Sequence, residues 1–120
     1  MDSIKRYIYV TFQKEGIHKY PAALHTPELA DVRFLGHPHR HMFHFRVDIE
    51  VSHTNRDIEF ILFKRELESL YTDKILDLDY RSCEMMADDL YKYVSEHYPA
   101  REMMIEVSED GENGCRIVYK

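Results

Sequence analysis

The sequence predicts an α+β fold in which an antiparallel sheet carries two helices on one face. Four separate segments alternate apolar and polar residues with the period of two that is typical of strands. Between the second and the third of these segments, apolar residues recur at the helical spacing of three to four positions. The predicted order is therefore ββααββ, and strands on either side of a helix pair are typical of α+β domains.

The first two strands are predicted over residues 6–13 and 39–53. In the first, Ile8, Val10 and Phe12 share one face. Residues 14–38 contain glycine and proline breakers and are predicted to form an irregular loop, and a loop of this length is usually functional or flexible. One face of the second strand is formed by His39, His41, Phe43, Phe45, Val47, Ile49 and Val51.

Two helices and two further strands complete the predicted fold. The apolar stripes of the helices contain Phe63, Leu67, Leu70 and Tyr71 in the first, and Met86, Leu90, Val94 and His97 or Tyr98 in the second. Ser82 is predicted to be the N-cap of the second helix, and Pro99 ends that helix. The last strands are predicted over residues 101–109 and 115–119, on either side of a turn that contains Gly111 and Gly114.

Composition narrows the class of protein. A chain of 120 residues with 44% hydrophobic residues suits a single domain over residues 1–120. The formal net charge of −6 and the absence of a basic run argue against nucleic acid as a partner. No apolar stretch approaches the roughly 20 residues of a membrane span, and the first residues do not resemble a signal peptide. Two cysteines give no disulfide framework, so we expect a cytoplasmic protein.

Histidines are concentrated in one part of the chain. Five of the eight lie between His25 and His44. His39 and His41 leave the same face of the second strand, roughly 6–7 Å apart along the chain, so both can reach one zinc ion. His25, in the preceding loop, is the nearest candidate for a third ligand. Three histidines leave a fourth position open for water or substrate, which is the pattern of catalytic zinc. The competing interpretation is that His39 and His41 are merely packed or solvated at the start of a strand.

Five motifs, in this order along the chain, resemble the 6-pyruvoyl-tetrahydropterin synthase and 6-carboxytetrahydropterin synthase family. The family has Phe-x-Ala-(Ala/Ser)-His, then His-Gly-His-x-(Tyr/Phe), Asp-Phe before the first helix, Thr-x-Glu at the start of the second, and a late Val-x-Glu. The corresponding segments here are Tyr20-Pro-Ala-Ala-Leu-His25, His39-Arg-His-Met-Phe43, Glu59-Phe60, Ser82-Cys-Glu84 and Val107-Ser-Glu109. The resemblance covers nearly the whole chain from Tyr20 onward.

The resemblance implies a tunnelling fold and a zinc ion bound by His25, His39 and His41. It implies that the carboxylate of Glu109 holds a pterin ring. One carboxylate can accept hydrogen bonds from two adjacent N–H groups of such a ring. Backbone N–H groups near Ser82 and Cys83 would meet the ring acceptors. The pocket would form between subunits of a homo-oligomer, a hexamer by resemblance.

The activity that the resemblance implies is that of a zinc-dependent carbon–oxygen lyase. Its substrate would be a dihydropterin such as dihydroneopterin triphosphate, in queuosine or biopterin biosynthesis. The catalytic centre departs from the family pattern, because Leu35 stands where many members have a cysteine and Tyr80 where they have a histidine. Tyrosine, with a reference pKa of about 10, is a poor base at neutral pH.

Two residues are candidate replacements for the missing proton-transfer groups. His37 lies in the loop and has an imidazole suited to acid–base work. The thiolate of Cys83 would be favoured by the start of the second helix. Each residue has a structural alternative: His37 as a solvated loop histidine, and Cys83 as a buried core residue. The chain as a whole has two alternatives to an enzyme: a binding module for a pterin, purine or nucleotide without turnover, and a structural oligomer whose histidines serve assembly.

Overall fold

A computed structural model describes residues 4–120 of the chain. Over these residues the fold is α+β, with a five-stranded mixed sheet, two α-helices and two 3-10 segments. The elements are β1 (Arg6–His18), 3-10 segments at Pro21–Leu24 and Pro27–Gly36, β2 (His39–Val51), α1 (Phe60–Glu68), β3 (Leu76–Asp79), α2 (Cys83–His97), β4 (Met103–Glu109) and β5 (Asn113–Tyr119). The strands lie in the order β3-β1-β2-β4-β5.

The hydrophobic core lies between one face of the sheet and the two α-helices. Phe12 pairs with Phe45 across β1 and β2, and their rings stack with centroids 4.8 Å apart. Val47 of β2 pairs in turn with Ile105 of β4 on the same face. The helices cover this face with Phe63 and Leu67 from α1 and Met86, Leu90 and Val94 from α2. Both helices thus lie on one face of the sheet, as the sequence predicts.

The predicted antiparallel sheet and ββααββ order are right only in part, because a short strand lies between the two helices. β3 pairs with the end of β1 in parallel, which makes the sheet mixed. It has only four residues, and its side chains alternate between the buried Leu76 and Leu78 and the exposed Asp77 and Asp79. Two apolar residues are too short a pattern to indicate a strand in the sequence.

The prediction of an irregular loop over residues 14–38 is also wrong in part. β1 continues through Gly16 to His18 and remains paired with β2 along its whole length. Gly16 does not break the strand, because its missing side chain leaves room for neighbours. A Cβ at this position would lie 2.8 Å from Cδ1 of Leu78 and 3.1 Å from the ring of Phe43. Two 3-10 segments then occupy much of the remaining loop.

Side chains cap both α-helices. Ser82 accepts a hydrogen bond from the backbone N–H of Met85 at 3.2 Å, which confirms the predicted N-cap of α2. Glu59 accepts from the backbone N–H groups of Ile61 and Leu62 at the start of α1. Both caps satisfy N–H groups that have no partner within the helix. Within residues 4–120, no helix has the length and apolar character that crossing a bilayer requires.

Candidate functional site

Four side chains from three strands converge at one end of the sheet. They are His18, His39, His41 and Glu109, and their ligand atoms all lie within 4.8 Å of one another. The strand register brings them together, since His18 pairs with His39 and Phe43 pairs with Glu109. All four lie on the same face as the core, at the end of the sheet next to the fully buried Phe43. The site is therefore a partly buried continuation of the core face.

The distances within this group suit a single metal ion. Nε2 of His18 lies 2.6 Å from Oε2 of Glu109, and Nε2 of His41 lies 3.3 Å from the same oxygen. The ring centroid of His39 lies 4.6 Å from that of His18 and 5.0 Å from that of His41. Tetrahedral zinc with bonds of about 2.0–2.1 Å holds its ligand atoms about 3.4 Å apart. Small side-chain rotations would bring the four donors to that spacing.

The second ring nitrogen of each histidine is held by an oxygen that can only accept a hydrogen bond. The pairs are Nδ1 of His18 with the carbonyl of Arg81 at 2.8 Å, Nδ1 of His39 with the carbonyl of His37 at 2.8 Å, and Nδ1 of His41 with Oδ2 of Asp110 at 2.7 Å. Because a carbonyl and a carboxylate have no proton to give, each Nδ1 is the donor. Each Nε2 is then the nitrogen directed into the site, which is the arrangement that metal-binding histidines show.

Nε2 of His18 and Oε2 of Glu109 are directed at each other. His18 donates its Nδ1 proton to the carbonyl of Arg81, and its Nε2 lies 2.6 Å from Oε2 of Glu109. Both atoms can bind a divalent cation, so the donor set fits a metal ion.

Asp110 adds a further negative charge beside the group. The backbone N–H of Met42 and the ring of His41 hold the pKa of this carboxyl below its usual range. Its ionised form therefore persists at neutral pH and below. Together with Glu109, it places two carboxylates next to three imidazoles, which favours the binding of a cation.

The structure brings together only part of the predicted zinc triad. His39 and His41 belong to the group, as the alternation of β2 indicates. His25 lies outside it, exposed at the end of the 3-10 segment Pro21–Leu24. His18 and Glu109 are its other members. Of these two, Glu109 was predicted from the sequence as a ring anchor, whereas His18 was not predicted to contribute.

The two candidate catalytic residues do not direct a reactive side chain into this group. His37 contributes its backbone carbonyl, which accepts from His39, while its imidazole is exposed. Cys83 is buried at the start of α2, where burial, and next the charge of Glu109, raise the pKa of its thiol to about 12. The thiol form of Cys83 is therefore favoured over the thiolate. Ser82, beside it, uses its hydroxyl to cap the helix.

The alternation of the first strand indicates the position of His18. It begins at Arg6 and continues through Phe12, so extending it by six residues places His18 on the core face. Ending the predicted strand at Gln13, before the apparent breaker Gly16, leaves His18 in the loop.

Comparison of the sequence with protein-family models gives no match, and comparison with curated proteins gives none either.

Proposed function

We propose that this chain binds zinc through Nε2 of His18, His39 and His41, and that it acts on a dihydropterin in the manner of a tetrahydropterin synthase. One observation carries the metal assignment: oxygen acceptors hold all three Nδ1 atoms, which leaves three Nε2 atoms directed at one point. The substrate class rests on the motif resemblance, whose paired histidines and late glutamate meet in this group.

Zinc is the metal that this donor set favours. Imidazole nitrogens suit zinc, copper, iron and nickel, whereas calcium and magnesium prefer oxygen donors. Three imidazoles and one carboxylate provide the four donors that tetrahedral zinc accepts. Bound zinc would supply Lewis acidity at the hydroxylated side chain of the ligand. The protein residues would position that side chain and the ring.

Glu109 is proposed to serve both the metal and the ring. Its Oε2 atom lies among the Nε2 atoms, so without ligand it supplies a fourth donor. On ligand binding, the carboxylate would turn to accept hydrogen bonds from the ring N–H and from the exocyclic amine. The variant Glu109→Gln separates the two roles, because an amide cannot accept both N–H groups and is a weak zinc donor. Loss of ligand binding with unchanged zinc affinity would assign Glu109 to the ring alone.

A product assay tests the enzymatic proposal. Zinc-loaded protein is incubated with dihydroneopterin triphosphate, and the pterin products are separated by chromatography. The proposal expects released triphosphate or a rearranged side chain, and no product from the matched variant His39→Ala. Unchanged substrate in the presence of fully zinc-loaded wild-type protein contradicts it.

A second function, ligand binding without turnover, is favoured by the state of the candidate proton-transfer groups. The Cys83 thiol has a pKa raised to about 12, and the Tyr80 side chain is 60% exposed. A binding module would need neither group. Thermal stabilisation by a pterin or a purine nucleotide, with the ligand recovered intact, supports this function, and consumption of the ligand excludes it.

The homo-oligomer, a hexamer by resemblance, is likewise a proposal. Mass photometry of the purified chain tests it, since a species of one chain at working concentration contradicts assembly.

A further inference from the structure

Asp110 occupies an unusual backbone position directly after Glu109. Its φ is +57°, in the left-handed region that favours glycine, and Gly111 follows with a φ of +71°. Asparagine and aspartate tolerate this region better than most residues, but glycine adopts it more freely. The conformation of the turn therefore does not by itself account for a carboxylate at this position.

Three hydrogen bonds fix Asp110 against the start of β2. Its backbone N–H donates to the carbonyl of Met42 at 2.7 Å, and the N–H of Met42 donates back to Oδ1 at 2.9 Å. The remaining oxygen, Oδ2, accepts from Nδ1 of His41 at 2.7 Å. Because Oδ1 is held by Met42, the carboxylate cannot rotate freely, and Oδ2 stays directed at His41.

We propose that Asp110 is a positioning residue of the metal centre, which holds His41 in the tautomer whose Nε2 binds the metal. This inference rests on the proposed metal site. Nδ1 of His18 and His39 is held by backbone carbonyls, which no substitution removes. At His41 the acceptor is a charged side chain. A carboxylate in this place orients the ring and increases the electron density that Nε2 offers to the metal.

The variant Asp110→Asn tests the role with little change of shape. Both carboxylate oxygens of Asp110 accept a hydrogen bond, one from the N–H of Met42 and one from Nδ1 of His41. An amide offers one acceptor and one donor, so it cannot satisfy both partners. Since the N–H of Met42 cannot change its role, the amide nitrogen would face His41. Nδ1 would then become the acceptor and the proton would move to Nε2, so metal binding would require the less favourable tautomer and would weaken.

Zinc affinity is measured by competition with a chromophoric chelator, on the full chain. We expect Asp110→Asn and Asp110→Gly to bind zinc roughly 10- to 100-fold more weakly than wild type. Asp110→Gly removes the carboxylate while suiting the positive φ, so it keeps the test valid if the amide variant folds poorly. The control is Glu112→Gln, an equal change of charge at an exposed position in the same turn, which should bind like wild type. Wild-type affinity in both Asp110 variants overturns the proposal.

Nitrogen-15 NMR of the metal-free protein supplies a measurement that a purely structural role would not alter. Spectra are recorded at about pH 8.5, where ordinary imidazoles are neutral. We expect His41 to carry its proton on Nδ1 in wild type and in Glu112→Gln, and on Nε2 in Asp110→Asn. The same tautomer of His41 in wild type and Asp110→Asn overturns the positioning role. A wild-type protein that shows these tautomers but binds no zinc would instead contradict the metal site alone.

Discussion

His18 and His39 lie opposite each other at the end of the two longest strands, with ring centroids 4.6 Å apart and ring planes at 69°. Pairs such as Phe12 and Phe45 fix the register of these strands within the core. Shifting the register by one residue would move every side chain to the other face. The geometry of the site therefore depends on the packing of the sheet, and the following predictions test the elements that hold it.

The hairpin formed by β4 and β5 should be sensitive to a single methyl group at Gly114. A Cβ at Gly114 would lie 2.1 Å from the carbonyl oxygen of Val107 and 2.5 Å from Cα of Ser108, so backbone atoms would have to move. We expect Gly114→Ala to lower the free energy of unfolding by about 2–3 kcal/mol, as overpacking commonly does. Urea denaturation of the metal-free protein measures this change.

Gly36→Ala is the matched control for this substitution. The three atoms nearest to its Cβ would all belong to the side chain of Leu24, the closest at 2.3 Å, and a side chain moves more readily than backbone. We expect a smaller loss of stability than at Gly114. Equal stability of Gly114→Ala and wild type would show that the backbones of β4 and β5 are farther apart at Gly114 than in this structure.

Acid should weaken the fold through Asp57. Hydrogen bonds from Arg101, and next from the backbone of Ser52, hold the pKa of this carboxyl well below its usual range. A carboxyl whose pKa is depressed in the folded state stabilises the fold at pH values above its pKa in the unfolded state, which is about 3.9. As pH falls below about 5, that contribution decreases progressively until the folded carboxyl is protonated as well.

Denaturation midpoints of wild type and Asp57→Asn between about pH 3 and pH 7 measure this effect, in chelator to remove any contribution from metal. We expect the wild type to lose more stability than the variant as pH falls. Parallel curves for the two proteins would show that the pair of Asp57 and Arg101 does not stabilise the fold.

The two α-helices are joined by a shared carboxylate. Glu66 of α1 accepts hydrogen bonds from the hydroxyl of Tyr98 at 2.7 Å and from that of Tyr93 at 2.8 Å. We expect Tyr98→Phe to lower the free energy of unfolding by about 1–2 kcal/mol, because a partly buried charge loses one donor. A double-mutant cycle with Glu66→Gln measures the coupling. Additive effects would mean that the tyrosine hydroxyl and the carboxylate do not interact.

Much of the fold follows from hydrophobic periodicity. The alternation of β2 and β4 and the stripe of α2 are long enough to define their faces, and Ser82 marks a helix start. β3 could not be found in this way, since it has four residues and is defined by pairing with the end of β1. Its existence depends on tertiary contacts that no local pattern encodes.

The site could be predicted from the sequence only in part, because local patterns do not show which strand ends meet. His39 and His41 lie on one strand, so their common face is visible in the sequence. The partners of this pair come from the ends of other strands, and only the register of the sheet decides which residues these are. His25 precedes the pair more closely in the sequence, but 3-10 segments place it outside the group, whereas His18 is brought in by strand pairing.

The most direct test of the metal centre is the zinc content of three purified proteins, measured by elemental analysis after equilibration with zinc and removal of the excess. The proteins are wild type, His18→Ala and His25→Ala. We expect about one zinc per chain in wild type and in His25→Ala, and a large loss in His18→Ala. Retention of zinc by His18→Ala together with its loss from His25→Ala would contradict the site described here.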